Sequence, residues 1–164
     1  MRLVFRTFLI LAVAAVLAPA LASAQYCTGC TISGGPGNDI LYGTAVADTI
    51  CGKEGDDSIY GGAGHDTLCG EPGNDYLFGD SGNDELMGWA NNDTLDGWTD
   101  NDTLDGTRHD DYLLGYDGND SLYGANDSDQ LFGEGGYDYC DGDGGTGSIG
   151  TDTCNCEVEV NCEL

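Results

Sequence analysis

Beyond residue 34, the apolar positions of the chain recur with a period of nine. A Leu or Ile stands at every ninth position from Leu41 to Leu131, and Cys140 takes the twelfth place. This period matches neither a helix stripe nor the alternation of a long half-buried strand. Each unit can form a strand of about three residues, but it cannot bury the middle side chain alone. The pattern therefore predicts units that stack as a β-solenoid.

Gly and Asp follow the same period. A Gly opens each of twelve units between residues 34 and 141, and an Asp stands five residues after it in every unit. A residue chosen only to suit a turn would mix Asp with Asn, and no Asn occurs at this place. The twelve carboxylates are those of Asp39, Asp48, Asp57, Asp66, Asp75, Asp84, Asp93, Asp102, Asp111, Asp120, Asp129 and Asp138.

Two units make one coil of eighteen residues, so the twelve units predict six coils that rise about 4.8 Å each. Equivalent residues of successive coils then lie above one another, which places six Asp carboxylates along each edge. Such columns repel strongly unless cations lie between the layers. Carboxylate and carbonyl oxygens suit a hard cation, and Ca²⁺ tolerates irregular oxygen coordination better than Mg²⁺. The sequence therefore predicts several bound Ca²⁺ ions, with the twelve Asp as ligands.

The unit resembles the nonapeptide of RTX, or haemolysin-type, calcium-binding repeats. The best copies are Gly34-Gly-Pro-Gly-Asn-Asp-Ile-Leu-Tyr42 and Gly61-Gly-Ala-Gly-His-Asp-Thr-Leu-Cys69. The resemblance implies a right-handed parallel β-roll in which each Asp bridges ions between neighbouring turns. The fourth position of the unit is Gly in seven copies. The β-branched Val46 at this position tolerates left-handed backbone poorly, so its turn is the least suited to bind calcium.

The chain is strongly acidic, with 30 Asp and Glu residues against 4 Lys and Arg residues and a formal net charge of -26. This balance excludes nucleic acid as a partner, because phosphate binding needs Lys and Arg. It also disfavours anionic membrane surfaces. An acidic excess of this size leaves a chain unfolded unless cations bind.

Residues 1–24 have the features of a secretory signal peptide. Two Arg residues precede the short apolar run Phe8–Leu17, and Ala22-Ser-Ala24 matches an A-x-A cleavage site. The run is too short for a transmembrane anchor. We therefore expect a secreted, extracellular protein that resembles a Sec-exported relative of the RTX proteins and has no transmembrane anchor. The mature chain would keep 2 basic residues against 30 acidic ones, a charge of -28.

All eight Cys residues follow the expected cleavage site, and an even number in an exported chain indicates disulfides. Cys51 and Cys69 hold the ninth position of units eighteen residues apart, so we expect them to bond across adjacent coils. Cys27 and Cys30 form a second expected bond. Three connectivities then remain for the last four, Cys140, Cys154, Cys156 and Cys162.

These cysteines predict the division of the mature chain. An N-terminal Cys cap spans residues 25–33, the repeats span 34–141, and a Cys-rich C-terminal cap spans 142–164. Capping would protect the open sheet edges, which otherwise invite stacking between molecules.

The ninth position of alternate units is rich in aromatic residues, reading Tyr42, Tyr60, Phe78, Asp96, Leu114 and Phe132. Tyr76 and Tyr112 lie on the same side. An outward aromatic ladder could bind a glycan or a protein, and simple cover for a thin core is the alternative. Trp89 and Trp98 both follow Gly, and we expect them in turns on opposite edges.

The function we expect is that of a secreted, structural calcium-binding β-roll protein that folds when calcium binds. A calcium-stabilised recognition module for glycan or protein adhesion is the alternative. An enzyme is not expected, because His65 and His109 each stand in a turn with no nucleophile or metal partner at a matching place.

Overall fold

The computed structural model describes residues 27–142, 153–160 and Cys162. In this part of the chain the protein is a β-solenoid of fifteen strands and contains no helix. The expected all-β parallel fold is confirmed. The expected signal peptide, residues 1–24, lies outside the described residues.

The strands are β1 (Ile32–Ser33), β2 (Ile40–Tyr42), β3 (Thr49–Cys51), β4 (Ser58–Ala63), β5 (Thr67–Pro72), β6 (Tyr76–Ser81), β7 (Glu85–Ala90), β8 (Thr94–Thr99), β9 (Thr103–Arg108), β10 (Tyr112–Gly118), β11 (Ser121–Asn126), β12 (Gln130–Gly136), β13 (Tyr139–Asp141), β14 (Thr153–Asn155) and β15 (Val158–Val160).

The strands alternate between two parallel sheets. The odd-numbered strands form an eight-stranded sheet in the order β1 to β15, and the even-numbered strands form a seven-stranded sheet from β14 to β2. Within the repeats, paired residues are eighteen apart, as in Leu68 with Leu86 and Leu77 with Leu95. The repeats therefore build the six coils expected, with β1, β14 and β15 adding strands beyond them.

A column of aliphatic side chains, made of one row from each sheet, fills the space between the sheets. The Leu or Ile of every unit from Ile50 to Leu131 has 0% exposure, and Cys140 continues the column at the same burial. Ile32 and Cys154 pack against its two ends. Each of these side chains contributes about 2 kcal/mol by burial, but only as part of the stack.

The strands of the inner coils are longer than the three residues expected from the sequence. β4 has six residues and β10 has seven, because pairing continues through the Gly at position one into the next unit. The chain then bends at position two, where nine non-glycine residues have φ between 69° and 91°. This left-handed backbone costs about 1–2 kcal/mol per residue and is held by the hydrogen-bonded coils on either side.

The expected Cys51–Cys69 disulfide is wrong, and so is the Cys27–Cys30 disulfide. Cys51 and Cys69 are register neighbours in β3 and β5, but Cys51 is bonded to Cys30 and Cys69 to Cys27. Side chains in register on parallel strands point the same way and stand about 4.8 Å apart, beyond the usual reach between the two Cβ atoms of a disulfide. Through these two disulfides, the N-terminal segment is covalently bonded to two adjacent coils of the odd-numbered sheet.

The C-terminal cysteines pair as Cys140–Cys156 and Cys154–Cys162, one of the three connectivities left open. Cys154 lies in β14, where it is the register partner of Leu131. The described part of the C-terminal segment therefore extends both the sheet and the core rather than only covering them.

Among the described residues there is no helix of the length and apolarity needed to cross a membrane.

Candidate metal centre

The twelve repeat Asp residues form two hydrogen-bonded columns, one along each edge of the roll. In each step, an Asp backbone N–H donates to Oδ1 of the Asp eighteen residues later, as from Asp57 to Asp75 at 2.7 Å. One column contains Asp39, Asp57, Asp75, Asp93, Asp111 and Asp129. The other contains Asp48, Asp66, Asp84, Asp102, Asp120 and Asp138.

The columns lie inside the roll. The first member of each, Asp39 or Asp48, is half-buried, and the other ten are only 1–3% exposed. Nine of the buried carboxylates also have an enclosed Oδ2 atom without a hydrogen-bond partner, namely those of Asp57, Asp66, Asp75, Asp84, Asp93, Asp102, Asp111, Asp120 and Asp138. A buried carboxylate oxygen without a partner is costly unless a cation or a proton compensates it.

The Gly at position one makes room for these oxygens. A Cβ placed on Gly61 would stand 2.7 Å from Asp66 Oδ2 and 2.8 Å from the carbonyl oxygen of Gly79. Both distances are too short for a carbon atom, so any side chain would displace the carboxylate or the next coil. The Gly and the Asp of a unit are therefore needed together, which accounts for their joint presence in all twelve copies.

The oxygen atoms at these niches fit a hard cation. A carboxylate oxygen and a backbone carbonyl oxygen both lie close to the niches of Gly61, Gly70 and Gly79, and such ligands suit Ca²⁺. The described residues contain no group of three His, Cys, Asp or Glu side chains that could hold a metal ion. A calcium ion here would therefore draw on main-chain carbonyls as well as on the Asp columns.

Burial raises the pKa of the carboxylates deep in the columns, whereas hydrogen bonds from Thr44 lower that of Asp48 at the end of the second column. The increase is largest in the middle of the first column, where the pKa of Asp75 is about 7, that of Asp93 about 8 and that of Asp111 about 9. The hydrogen bond from the preceding Asp N–H lowers each pKa in part, and the neighbouring carboxylates raise it. Burial likewise raises the pKa of Asp102, in the second column, to about 8.

The RTX calcium-binding nonapeptide repeat family matches the chain in four copies, over residues 31–50, 42–77, 70–104 and 105–140. The chain belongs to this RTX repeat family. No curated protein matches it. The resemblance inferred from the sequence is confirmed, and the RTX repeats in a β-roll indicate a calcium-binding protein.

The RTX turns of this chain are of two types, which we name glycine turns and side-chain turns by their fourth position. Gly37, Gly55 and Gly73 have φ of 138°, 123° and 159°, a region that residues with a side chain rarely adopt. In the same column, Asn91, His109 and Asp127 have φ of 82°, 72° and 78° instead. Because φ at position four orients the carbonyl of position three, the two types present this oxygen differently.

Side-chain hydrogen bonds distinguish the two types further. The N–H groups of the glycine turns donate to carbonyls of the next coil, as from Gly55 to Pro72 at 3.0 Å. The Asn91 N–H donates to Nδ1 of His109, and the His109 N–H to Oδ2 of Asp127. Side chains therefore occupy the outer face of these turns.

A second ladder, at position five of the unit, was not predicted from the sequence. A side-chain acceptor at this position receives the N–H of the position-five residue one coil later, as from Asn119 to Asn101 at 2.8 Å. His65 does the same for Asn83 at 2.8 Å. The frequent Asn at this position is the signal that could have indicated the ladder. Together with the Asp columns, it links adjacent coils in both directions.

The Val46 turn differs from the others. Val46 is 67% exposed and is not among the left-handed residues, and Thr44 donates its N–H to Oδ2 of Asp48 at 2.8 Å. This carboxylate, unlike those deeper in its column, already has a partner on its second oxygen.

The aromatic residues of the even-numbered sheet form the expected ladder in part. Tyr42 stacks on Tyr60 with ring centroids 5.1 Å apart, and Tyr60 contacts Phe78 at 6.2 Å. Trp98, expected in a turn, lies in β8 and packs between Phe78 and Tyr116, at 5.7 Å and 5.4 Å. Trp89 lies in β7 of the other sheet, so the two Trp rings do not meet.

Proposed function

We propose that the protein is a secreted, non-enzymatic calcium-binding β-roll protein with a structural role outside the cell. The twelve repeat Asp residues are its proposed calcium ligands. Membership of the RTX family supports calcium, and the disulfides support an oxidising compartment. Nδ1 of both His65 and His109 accepts a backbone N–H, which supports a structural rather than a catalytic use of these rings.

One observation carries the proposal: the buried Oδ2 atoms of the Asp columns that lack a hydrogen-bond partner. Backbone N–H groups satisfy the Oδ1 atoms, and in niches such as those of Gly61 and Gly70 the second oxygen and a carbonyl oxygen lie on the same side of the glycine. A buried carboxylate oxygen that has no donor is unfavourable unless a positive charge or a proton compensates it. Calcium, when bound, supplies that charge.

The chain itself provides the coupling between binding and folding. Its core is one side chain deep, and its columns place carboxyl groups in a buried environment where ionisation is unfavourable without a cation. In the unfolded chain the same carboxylates are hydrated and far apart, so no binding niche exists. Ligand binding to the folded state alone then stabilises it by mass action.

The proposal is tested by far-UV circular dichroism of the oxidised mature protein, titrated separately with CaCl₂ and MgCl₂. We expect a transition from coil to β-structure with calcium only, at roughly 10⁻⁴–10⁻³ M as for other extracellular calcium modules. Isothermal titration calorimetry of the same samples counts the ions.

A β-spectrum that excess EGTA leaves unchanged at neutral pH would overturn coupled folding. In that case the disulfides and the Leu column would be sufficient for the fold. Equal responses to calcium and magnesium would overturn the choice of ion.

A second candidate function is recognition of a glycan or protein, with calcium holding the scaffold. The contact of Tyr42, Tyr60, Phe78, Trp98 and Tyr116 in one continuous series favours it. Tyr42 is 66% exposed and Trp98 45%, so ring faces are available to a partner.

Glycan-array binding of the calcium-loaded protein tests this candidate. The triple variant Tyr42→Ala, Tyr60→Ala, Phe78→Ala should abolish a genuine signal. Tyr123→Ala, Tyr139→Ala is the matched control, because these rings form a pair on the opposite sheet, 5.8 Å apart. Loss in both variants would argue against recognition by the aromatic ladder.

A further inference from the structure

One carboxyl interrupts the aromatic face of the even-numbered sheet. Asp96 lies in β8 in register with Phe78 and Leu114, at a position that is aromatic or aliphatic in the other coils of this sheet. It is 6% exposed, and its enclosed Oδ1 atom has no hydrogen-bond partner. Burial raises its pKa to about 6, so it is ionised at neutral pH.

Asp105 shows that a carboxylate at this position of the unit can have a hydrogen bond. It holds the same place in the unit on the opposite sheet, in register with Met87 and Tyr123. Burial raises its pKa to about 6 as well, but a hydrogen bond from the Thr107 backbone lowers it in part. For Asp96, by contrast, burial is the only cause that acts on the pKa.

No basic side chain compensates Asp96. Lys53 forms the one ion pair found between described residues, with Glu71 at 2.6 Å, and Arg108 lies in β9 of the other sheet. The negative charge of Asp96 acts instead on a neighbouring phenol: burial first, and then this charge, raise the pKa of Tyr76. The site therefore combines an uncompensated carboxylate with at least two neighbouring aromatic residues, Phe78 and Tyr76.

Phe78, Trp98 and Tyr116 contact one another in a continuous series, and Phe78 is the register partner of Asp96 on the neighbouring strand. Trp98, two residues after Asp96, is tilted at 52° to Phe78 and at 58° to Tyr116. Because Trp98 is 45% exposed, a ligand can reach its ring from solvent. Tilted rings next to a negative charge attract cations through their faces.

The chemistry selects among cations. A Ca²⁺ ion needs six to eight oxygens, and the row that holds Asp96 offers this carboxylate between Phe78 and Leu114. A primary ammonium has three N–H donors that need acceptors. A trimethylammonium group has no N–H donor, and its methyl groups pack against ring faces while its charge is attracted by the carboxylate.

We propose that Asp96, Phe78, Trp98 and Tyr116 form a binding site for the trimethylammonium group of a small, choline-like cation. The formal net charge of the chain, -26, attracts a free cation and repels the phosphate of a phosphocholine headgroup. The site lies on the outer face of the roll, separate from the Asp columns, and does not depend on how many calcium ions bind.

The test uses the folded mature protein in saturating calcium, titrated with choline chloride at constant ionic strength and followed by NMR. We expect saturable shifts at the Trp98 indole N–H. Asp96→Leu, which introduces the residue found at Leu114 one coil later, should weaken binding about tenfold or more. Asp105→Leu, the matched control with the same change of charge, should keep the affinity within about twofold.

Absence of saturable shifts, or equal affinity of Asp96→Leu and the parent protein, would overturn the proposal. Shifts reproduced by sodium chloride would also overturn it. Phosphocholine binding as tightly as choline would overturn the choice of a free cation. Trp98→Ala, read by calorimetry, gives an independent variant in which binding should be lost. Because circular dichroism in calcium reports folding separately, a failure of this site is distinguishable from a failure of calcium-dependent folding.

Discussion

Two halves of one Asp column differ in the turns that enclose them. Around Asp39, Asp57 and Asp75 the fourth position is Gly, with φ above 120°. Around Asp93, Asp111 and Asp129 it is a polar residue in the left-handed region, with φ of 72–82°. The carboxylate ladder continues through both halves without interruption. The buried column and the outer turn are thus independent features, and a difference in calcium affinity should follow the turn.

The largest predicted effect is the dependence of stability on pH. It should be common to both halves, because it comes from the buried Asp column that they share. The raised pKa values, about 7 for Asp75 and about 9 for Asp111, lie above the value of about 3.9 for an unfolded Asp. The folded ion-free chain therefore holds protons that the unfolded chain releases. Its free energy of unfolding should be highest below about pH 4 and should fall as the pH rises toward 9. We expect protein freed of calcium on a chelating resin to lose its β-spectrum at neutral pH and regain it in acid.

Thermal unfolding followed by circular dichroism between pH 4 and pH 9, with and without calcium, measures this effect. Calcium should flatten the dependence above neutral pH. A stability that does not change with pH in the ion-free protein would contradict the role of the buried carboxylates.

The next largest effect tests the niche at position one, which both types of turn share. A Cβ on Gly70 would overlap Asp75 Oδ2, and a Cβ on Gly106 would overlap Asp111 Oδ2. Each Gly→Ala change should lower the free energy of unfolding in calcium by about 3 kcal/mol. Gly35→Ala is the control, because the nearest atom to its added Cβ is 3.8 Å away, and it should cost less than about 1 kcal/mol. Urea unfolding measures all three changes in the free energy of unfolding. Unequal losses at Gly70 and Gly106 would show that the two halves of the column differ at position one.

A smaller effect, on calcium affinity, should distinguish the two halves of the column. Asp75→Asn and Asp111→Asn both keep an Oδ1 acceptor for the preceding N–H but remove a charge. If the glycine turns bind calcium more tightly, Asp75→Asn should raise the calcium midpoint of folding about tenfold and Asp111→Asn about two- to threefold. Calcium titrations by circular dichroism measure both. Equal shifts would mean that the type of turn has no influence on affinity.

The smallest effect comes from converting one side-chain turn. His109→Gly removes the acceptor of the Asn91 N–H and restores the glycine found in the first half of the column. We expect the calcium midpoint to fall about twofold, while the added backbone freedom costs about 0.5–1 kcal/mol without calcium. His65→Asn, which keeps an acceptor for the Asn83 N–H, should leave the midpoint unchanged. An unchanged midpoint in His109→Gly would indicate that the side-chain turns already bind as well as the glycine turns.

The sequence was sufficient to predict the structure of the parts of the molecule that repeat. Leu77 and Asp75 each have a counterpart in every coil, so one rule for the unit predicted the core column, both Asp columns and the register of eighteen residues. It could not predict that the strands continue through position one. That depends on left-handed backbone at residues such as Thr107, where the neighbouring coils outweigh local preference.

The parts that do not repeat escaped prediction. The pairing of Cys27 with Cys69 depends on the path of a short segment over the odd-numbered sheet, which no period describes. The place of Trp98 in the aromatic series depends on the bend after Gly97, which turns its ring toward Phe78. Both are contacts between features that occur once, and no other copy of the unit indicates them.

The eighteen-residue register also makes the molecule extensible. Each coil of the repeats is hydrogen-bonded to the coil above and the coil below it, and the Asp-to-Asp bonds are the same at each step. A duplicated pair of nonapeptides could therefore enter the stack between the disulfide-bonded ends without disturbing either of them. Duplication of this part of the gene can thus lengthen the solenoid by whole coils of about 4.8 Å each, while its two ends stay the same.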